Sequence, residues 1–134
     1  MAVDGDLAAV LKEADLPPHR VRHGTIYPDK WCSPYLAVEF PGLEGRIAID
    51  LEIWNPEMDE FVENEVVIRS NHRLIRTETM EPGDLRRVTL EQEAIAIDGH
   101  AFSVSIRSAK HFVPQPPDTR MLALVVRRFS IRAL

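Results

Sequence analysis

Sulfur chemistry is nearly absent from this chain: Cys32 is its only cysteine, so no intramolecular disulfide contributes to stability and nothing demands an oxidising compartment. Long apolar runs are missing too, and no stretch approaches the ~20 residues that cross a bilayer as a helix. The first sixteen residues are too acidic, and their apolar runs too short, for a secretory signal, which makes a cytoplasmic location the default expectation. Positive charge is in deficit. The net charge of −5 argues against nucleic acid as the main partner, because phosphate binding is driven by clustered Lys and Arg displacing counterions. Arg86-Arg87 and Arg127-Arg128 are the local exceptions. Adjacent residues of a regular strand point to opposite faces, so neither pair is expected to make a single patch.

Familiar catalytic patterns are also missing. There is no glycine-rich phosphate loop, no His-Glu-x-x-His, no Gly-x-Ser-x-Gly and no paired cysteine. Nucleotide hydrolysis, common metalloprotease chemistry and esterase chemistry lose their support, and no catalytic residue, cofactor or metal is assigned. His19 and His23 have the spacing of one helix face, but Pro17-Pro18 before them and Gly24 after them break a helix, leaving two exposed loop histidines. Glu57, Asp59, Glu60, Glu63 and Glu65 lack the ligand order and central glycine of a calcium loop and read as solvated. Cys32 and His111 could form a thiolate pair only if folding joined them, and a buried, inert Cys32 is the expectation. Glu39, Asp50 and Glu52 fall on the wet face of alternating strands, where no catalytic pair can be nominated.

What is present is the composition of one ordinary globular domain. Of 134 residues, 45% are hydrophobic and 28% charged with both signs interspersed, enough to bury roughly two-thirds of the unfolded surface without staples. Asp4 or Asp6 can cap a short helix in which Leu7, Val10, Leu11 and Ala14 recur at helical spacing, and Pro17-Pro18 ends it. Residues 1–23 are therefore read as a helix and linker, and residues 24–134 as the main domain.

From Tyr35 onward the period is two. It is clearest from Arg46 to Ile53, where Ile47, Ile49, Leu51 and Ile53 share one face. Similar runs are Tyr35 to Phe40, Glu65 to Arg69, Leu74 to Thr79, Arg87 to Leu90, Phe102 to Arg107 and Met121 to Ile131, with a weaker one at Ile95-Ala96-Ile97. Turn signals separate them at Pro41-Gly42, Asn55-Pro56, Ser70-Asn71-His72, Pro82-Gly83-Asp84 and Asp98-Gly99. Strands of this length without intervening helices predict an all-β fold, an antiparallel β-sandwich or jelly roll with a short N-terminal helix. In the last strand Leu122, Leu124 and Val126 share one parity while Phe129 and Ile131 take the other. One extra residue near Arg127-Arg128 restores both sets to the core, which predicts a β-bulge there.

Two stretches carry the functional candidates. Tyr27-Pro28-Asp29-Lys30-Trp31 sets aromatics among polar residues ahead of the first clear strand, and Trp31 and Tyr35 are the rings available to stack on a sugar face. The alternative for Trp31 is closure of one end of the core. His111 to Leu122 is a proline-stiffened loop that can hold Asp118 and Arg120 in fixed geometry, either as a loop clamp or as part of a binding site, with the clamp favoured.

Taken together, Tyr27-Pro28-Asp29-x-Trp31 early and Phe112-Val113-Pro114 with Asp118-x-Arg120-x-Leu122 late resemble a β-sandwich, carbohydrate-binding-like accessory domain of bacterial glycosyltransferases and other surface-polysaccharide biosynthesis proteins. The hairpin Val66 to Thr79 with Asn71 at its turn, and the following Pro82-Gly83, fit the same resemblance, which spans about Gly24 to Ile131. It implies a noncatalytic role beside glycan assembly, in which the domain holds a saccharide or packs against a glycosyltransferase or other protein partner. Trp31, Tyr35, His111, Asp118 and Arg120 are the candidate ligand-binding residues. The alternative is a protein-interaction or oligomerisation module, homo-oligomers included, built on exposed strand edges. An enzyme is the third and least supported class.

The core assignment is testable directly. Ile49→Asp buries an unpaired carboxylate at a cost of several kcal/mol, against a total domain stability of about 5–15 kcal/mol. The variant should lack a cooperative thermal transition, while Asp50→Asn on the wet face should melt with the wild type.

Overall fold

The computed structural model describes residues 7–11, 15–71, 73–97 and 99–134. The cap expected at Asp4 or Asp6, Ala14 of the helix, and His72 and Asp98 of two turns lie outside the described residues. A short helix α1 (Leu7–Leu11) precedes eight strands: β1 (Arg20–His23), β2 (Tyr35–Phe40), β3 (Gly45–Trp54), β4 (Asn64–Ser70), β5 (Arg73–Met80), β6 (Leu85–Ala94), β7 (Phe102–Ser108) and β8 (Val125–Ala133). All pair antiparallel, in a five-stranded sheet of order β1-β2-β7-β4-β5 and a three-stranded sheet of order β6-β3-β8. The fold is an all-β sandwich with one short helix.

Period-two patterning explains the packing. Ile47, Ile49, Leu51 and Ile53 of β3 are buried against Leu36, Val38 and Phe40 of β2, Val66 and Ile68 of β4, and Phe102, Val104 and Ile106 of β7, all in one hydrophobic cluster. The five residues of α1 are too few to be stable alone. Leu7 and Leu11 are both buried, and the helix lies beside β8. The chain after it continues the contact, with the Asp15 carbonyl accepting the Ile131 N–H at 3.0 Å. His19 is half-buried rather than exposed: its Nε2 accepts the Leu7 N–H at 2.9 Å, and its Nδ1 lies 3.0 Å from the Pro17 carbonyl.

Three expectations change in detail. Arg20–His23, read as linker, is an edge strand pairing with β2, where Val21 supplies the one inward apolar residue. The weak run Ile95-Ala96-Ile97 forms no strand, because the β3–β6 ladder ends at Gly45 opposite Ala94 and leaves it without a partner; Ile97 only bridges His100. Residues Met121 to Leu124 precede the last strand, and Leu122 instead bridges Phe112 to close the late loop.

The bulge stands where the parity switch predicts it. Glu52 pairs with Arg128 and the next residue, Ile53, with Val126, so Arg127 is the extra residue. Val126 and Phe129 are buried on either side, and both Arg127 and Arg128 are exposed. Adjacent side chains of a regular strand alternate, but a bulge turns two successive ones to the same side. The expectation that Arg127-Arg128 cannot form one patch is therefore overturned.

A buried polar cluster joins the sheets at one end. Asn55 and Asn64 are fully buried, one at the exit of β3 and the other at the start of β4. Asn55 donates through Nδ2 to the carbonyls of Phe61 (3.0 Å) and Met80 (3.3 Å), and its Oδ1 accepts from Asn64 Nδ2 at 2.9 Å. Asn64 also donates to Ser108 Oγ at 2.9 Å and accepts the Lys110 N–H at 3.0 Å, while Ser108 donates to the Lys110 carbonyl at 2.8 Å. Asn64→Leu puts a larger, apolar side chain in its place and leaves the buried side-chain oxygen of Asn55 and the Lys110 N–H without this partner. An orphaned buried group costs about 1–3 kcal/mol, so the variant should lose about 2–4 kcal/mol in urea unfolding, against no measurable loss for the exposed Glu65→Gln.

Candidate functional site

The early and late loops named from sequence meet. Backbone bonds from Tyr27 N–H to the Trp31 carbonyl and from Lys30 N–H to the Tyr27 carbonyl, both 2.8 Å, curl residues 27–31 into a tight turn. Lys30 sits there at φ 72°. Paired Phe112–Leu122 backbone bonds close the late loop into a hairpin. Arg120 locks the two together. Its Nε and Nη2 make a fork on the Asp118 carboxylate at 2.9–3.1 Å, its Nη1 reaches Asp29 Oδ2 at 2.9 Å, and its guanidinium lies 4.8 Å from the centroid of the Tyr27 ring. Asp118 also accepts the Arg120 N–H at 3.0 Å. A guanidinium engaged on all three nitrogens has little left for a ligand.

Trp31 belongs to the same junction. Its backbone N–H donates to Asp29 Oδ1 at 3.3 Å, and its ring packs edge-on against Phe112 at 5.4 Å and Trp54 at 6.3 Å, with Phe61 behind Phe112 at 6.2 Å. These four rings cover the end of the sandwich next to the Asn55–Asn64 cluster. His111 is exposed beside Phe112 and has no contact with Cys32, which is buried between backbone pairings to Leu124 and Ala123. Burial pushes the Cys32 thiol up to about 12, so it stays protonated and inert at neutral pH.

Tyr35 lies elsewhere, on the outer face of the five-stranded sheet. His23 stacks on its ring at 5.6 Å with 28° between planes, and the Arg107 guanidinium stands 4.5 Å from the ring centroid. Because β1 and β7 flank β2, His23 and Arg107 reach the ring from the two neighbouring strands. Gly24 makes this arrangement fit. It adopts φ +76°, and a Cβ there would collide with the Tyr35 carbonyl oxygen and Ser33 Oγ, so only glycine lets β1 turn this closely past β2. Around Tyr35 is a depression of about 220 Å³ whose lining includes His23, Glu39, His100, Ser103 and Ser105. Glu39 forms ion pairs with Arg20 and, at 3.8 Å, Arg22; the Arg20 hydrogen bond holds its carboxyl below the usual range, so it is an anionic acceptor at neutral pH.

Of the five residues chosen from sequence, Asp118, Arg120 and Trp31 share one junction, with His111 exposed at its margin. Tyr35 is on a different surface. Its neighbours His23, Glu39, His100, Ser103 and Ser105 were not selected, since His23 follows an unrecognised strand and the serines read only as the polar half of an alternating run. The signal that was available is the edge-strand pattern Arg20-Val21-Arg22-His23, basic and polar around one apolar residue. Among the described residues no group of three or more His, Cys, Asp or Glu is placed to hold a metal ion. No helix among them is long and apolar enough to cross a membrane. No protein-family model matches the chain, and no curated protein matches it.

The Asp118 carboxyl is held below the ordinary carboxylate range by its bonds from the Arg120 side chain and N–H. A depressed native pKa stabilises the fold above the unfolded value, near 4, and that contribution disappears as pH falls through the lower native value. Asp118→Ala should therefore lower the melting temperature at pH 7, and the gap from wild type should close on acidification below about pH 4. Equal melting of the two proteins at pH 7 would show that the clamp does not hold the loop.

Proposed function

We propose that this chain is a noncatalytic, carbohydrate-binding-like module that holds a saccharide at the Tyr35 depression and assists polysaccharide synthesis or modification. The observation that carries the reading is the convergence there of a phenol hydroxyl, two imidazoles, an anionic carboxylate and two serine hydroxyls on a rigid sheet face. Sugar recognition needs this mixture. Carboxylate and hydroxyl oxygens accept and share sugar hydroxyl protons, while the solvent-exposed His23 ring, backed by Tyr35, offers a flat surface to the C–H face of a pyranose. The size suits one small ring, being below the ~300–1,000 Å³ of pockets that enclose larger ligands. The resemblance to accessory domains of glycosyltransferases supports the same class of partner.

A second reading, a protein-interaction module, is favoured by β5. This strand closes one edge of the larger sheet with no neighbour beyond it among the described residues, and Leu74 is 58% exposed along it. An incoming strand could add to that edge through main-chain bonds.

A small open site limits affinity to the order of micromolar to millimolar for a short oligosaccharide. A glycan array followed by calorimetric titration should find a ligand whose affinity falls about tenfold or more in His23→Ala and Tyr35→Phe, while Trp31→Phe leaves it unchanged. Loss of binding in Trp31→Phe alone, in a folded variant, would move the site to the loop junction. A bare array combined with a partner whose binding is lost in Leu74→Lys would replace the saccharide reading with the interaction module.

A further inference from the structure

The outer face of the three-stranded sheet carries charge in a different arrangement. Its central strand presents Asp50 and Glu52, whose side chains are only 22% and 17% exposed, at the floor of a groove of about 710 Å³. Arginines rise on both sides: Arg87 from β6, and Arg127, Arg128 and Arg132 from β8. Among the described residues four guanidinium groups face two carboxylates, an excess of positive charge on a chain whose net charge is −5.

The pairing shows where the excess sits. Arg87 Nε bonds Glu52 Oε1 at 2.6 Å, Arg132 Nε bonds Asp50 Oδ2 at 3.2 Å, and the Thr89 hydroxyl donates to Asp50 Oδ1 at 2.8 Å. Arg127 reaches Glu52 only at 3.8 Å, and Arg128 makes no ion pair with any described residue. The two under-used cations are the two residues that the β8 bulge turns to one side. A regular strand continuing from the buried Val126 would have turned Arg128 toward the core, and one running back from the buried Phe129 would have turned Arg127 there. Here the irregularity sets two guanidinium forks next to each other beside the floor carboxylates.

We propose that this groove binds an acidic saccharide, with its carboxylate or phosphate held by Arg127 and Arg128 and its hydroxyls bonded to Asp50 and Glu52. Guanidinium forks match the paired oxygens of either anion. The floor carboxylates decide the rest of the ligand: they repel a bare polyanion such as nucleic acid, yet accept hydrogen bonds from neutral hydroxyls a few ångströms from the charge. A molecule bearing one anionic group among many hydroxyls satisfies both halves. The groove lies on the sheet opposite Tyr35 and stands independently of the saccharide site proposed there.

The test is calorimetric titration of the intact chain with four probes: galacturonate, glucose 1-phosphate, neutral glucose and inorganic phosphate. At least one of the acidic saccharides should bind tenfold or more tightly than the neutral one, weakening as salt screens the charge, and which of them binds identifies carboxylate or phosphate as the anion. Arg128→Glu, which removes no ion pair with a described residue, should cut that affinity at least tenfold with an unchanged melt. Asp50→Asn should weaken the acidic saccharide while inorganic phosphate, repelled by that carboxylate, holds or strengthens. His23→Ala should leave this binding intact, which separates it from the Tyr35 depression. The proposal is overturned if neither acidic saccharide binds, if the neutral one binds equally, if inorganic phosphate matches glucose 1-phosphate, or if Arg128→Glu or Asp50→Asn leaves saccharide affinity unaltered.

Discussion

Where β3 leaves the smaller sheet and β4 enters the larger one, the connecting segment is exposed along most of its length but buried at Asn55, Pro56, Phe61 and Asn64, where polar groups need partners away from water. The side-chain amides of Asn55 and Asn64 take up that demand: between them they bond the carbonyls of Phe61 and Met80, the N–H of Lys110 and the hydroxyl of Ser108. Every amide hydrogen of both residues is used. Burying a fully satisfied network costs little, whereas a half-satisfied one is among the most expensive features a core can carry. The crossover, the 3-10 turn at Asp59–Phe61 and the end of β7 are thus fixed together. On this end rest the four rings from Trp31 to Phe61, and over them the late loop is clamped by Arg120.

That clamp changes how the charged residues of the late loop are read. Arg120 and Asp118 are polar, close together and on a stiff loop, features that fit a ligand site as well as a structural lock. Geometry distinguishes the two uses, because a guanidinium that bonds two carboxylates and stacks on Tyr27 has spent its donors within the chain. Charge available for recognition is found instead on the flat outer faces. The larger sheet offers an imidazole, phenol and carboxylate set around Tyr35, and the smaller one offers arginines above carboxylates. Both faces owe their shape to a backbone irregularity: Gly24 at positive φ lets His23 fold over Tyr35, and the β8 bulge sends Arg127 outward.

By itself the sequence determined the all-β class, seven of the eight strands and the bulge, because those follow from one local rule: an apolar face must recur every two residues, and a parity switch requires an inserted residue. The same rule missed Arg20–His23, whose single apolar Val21 is too short a signal, and it overreached at Ile95-Ala96-Ile97, where alternation exists but the neighbouring strand has ended. Only the tertiary structure decided which polar residues share a surface. Asp29 and Arg120 are 91 positions apart and Asn64 and Ser108 44, and such pairings are set by the order of strands across a sheet, which no local period encodes. Trp31 and Tyr35, four residues apart, were separated onto an aromatic end-cap and an open sheet face, because β2 begins at Tyr35.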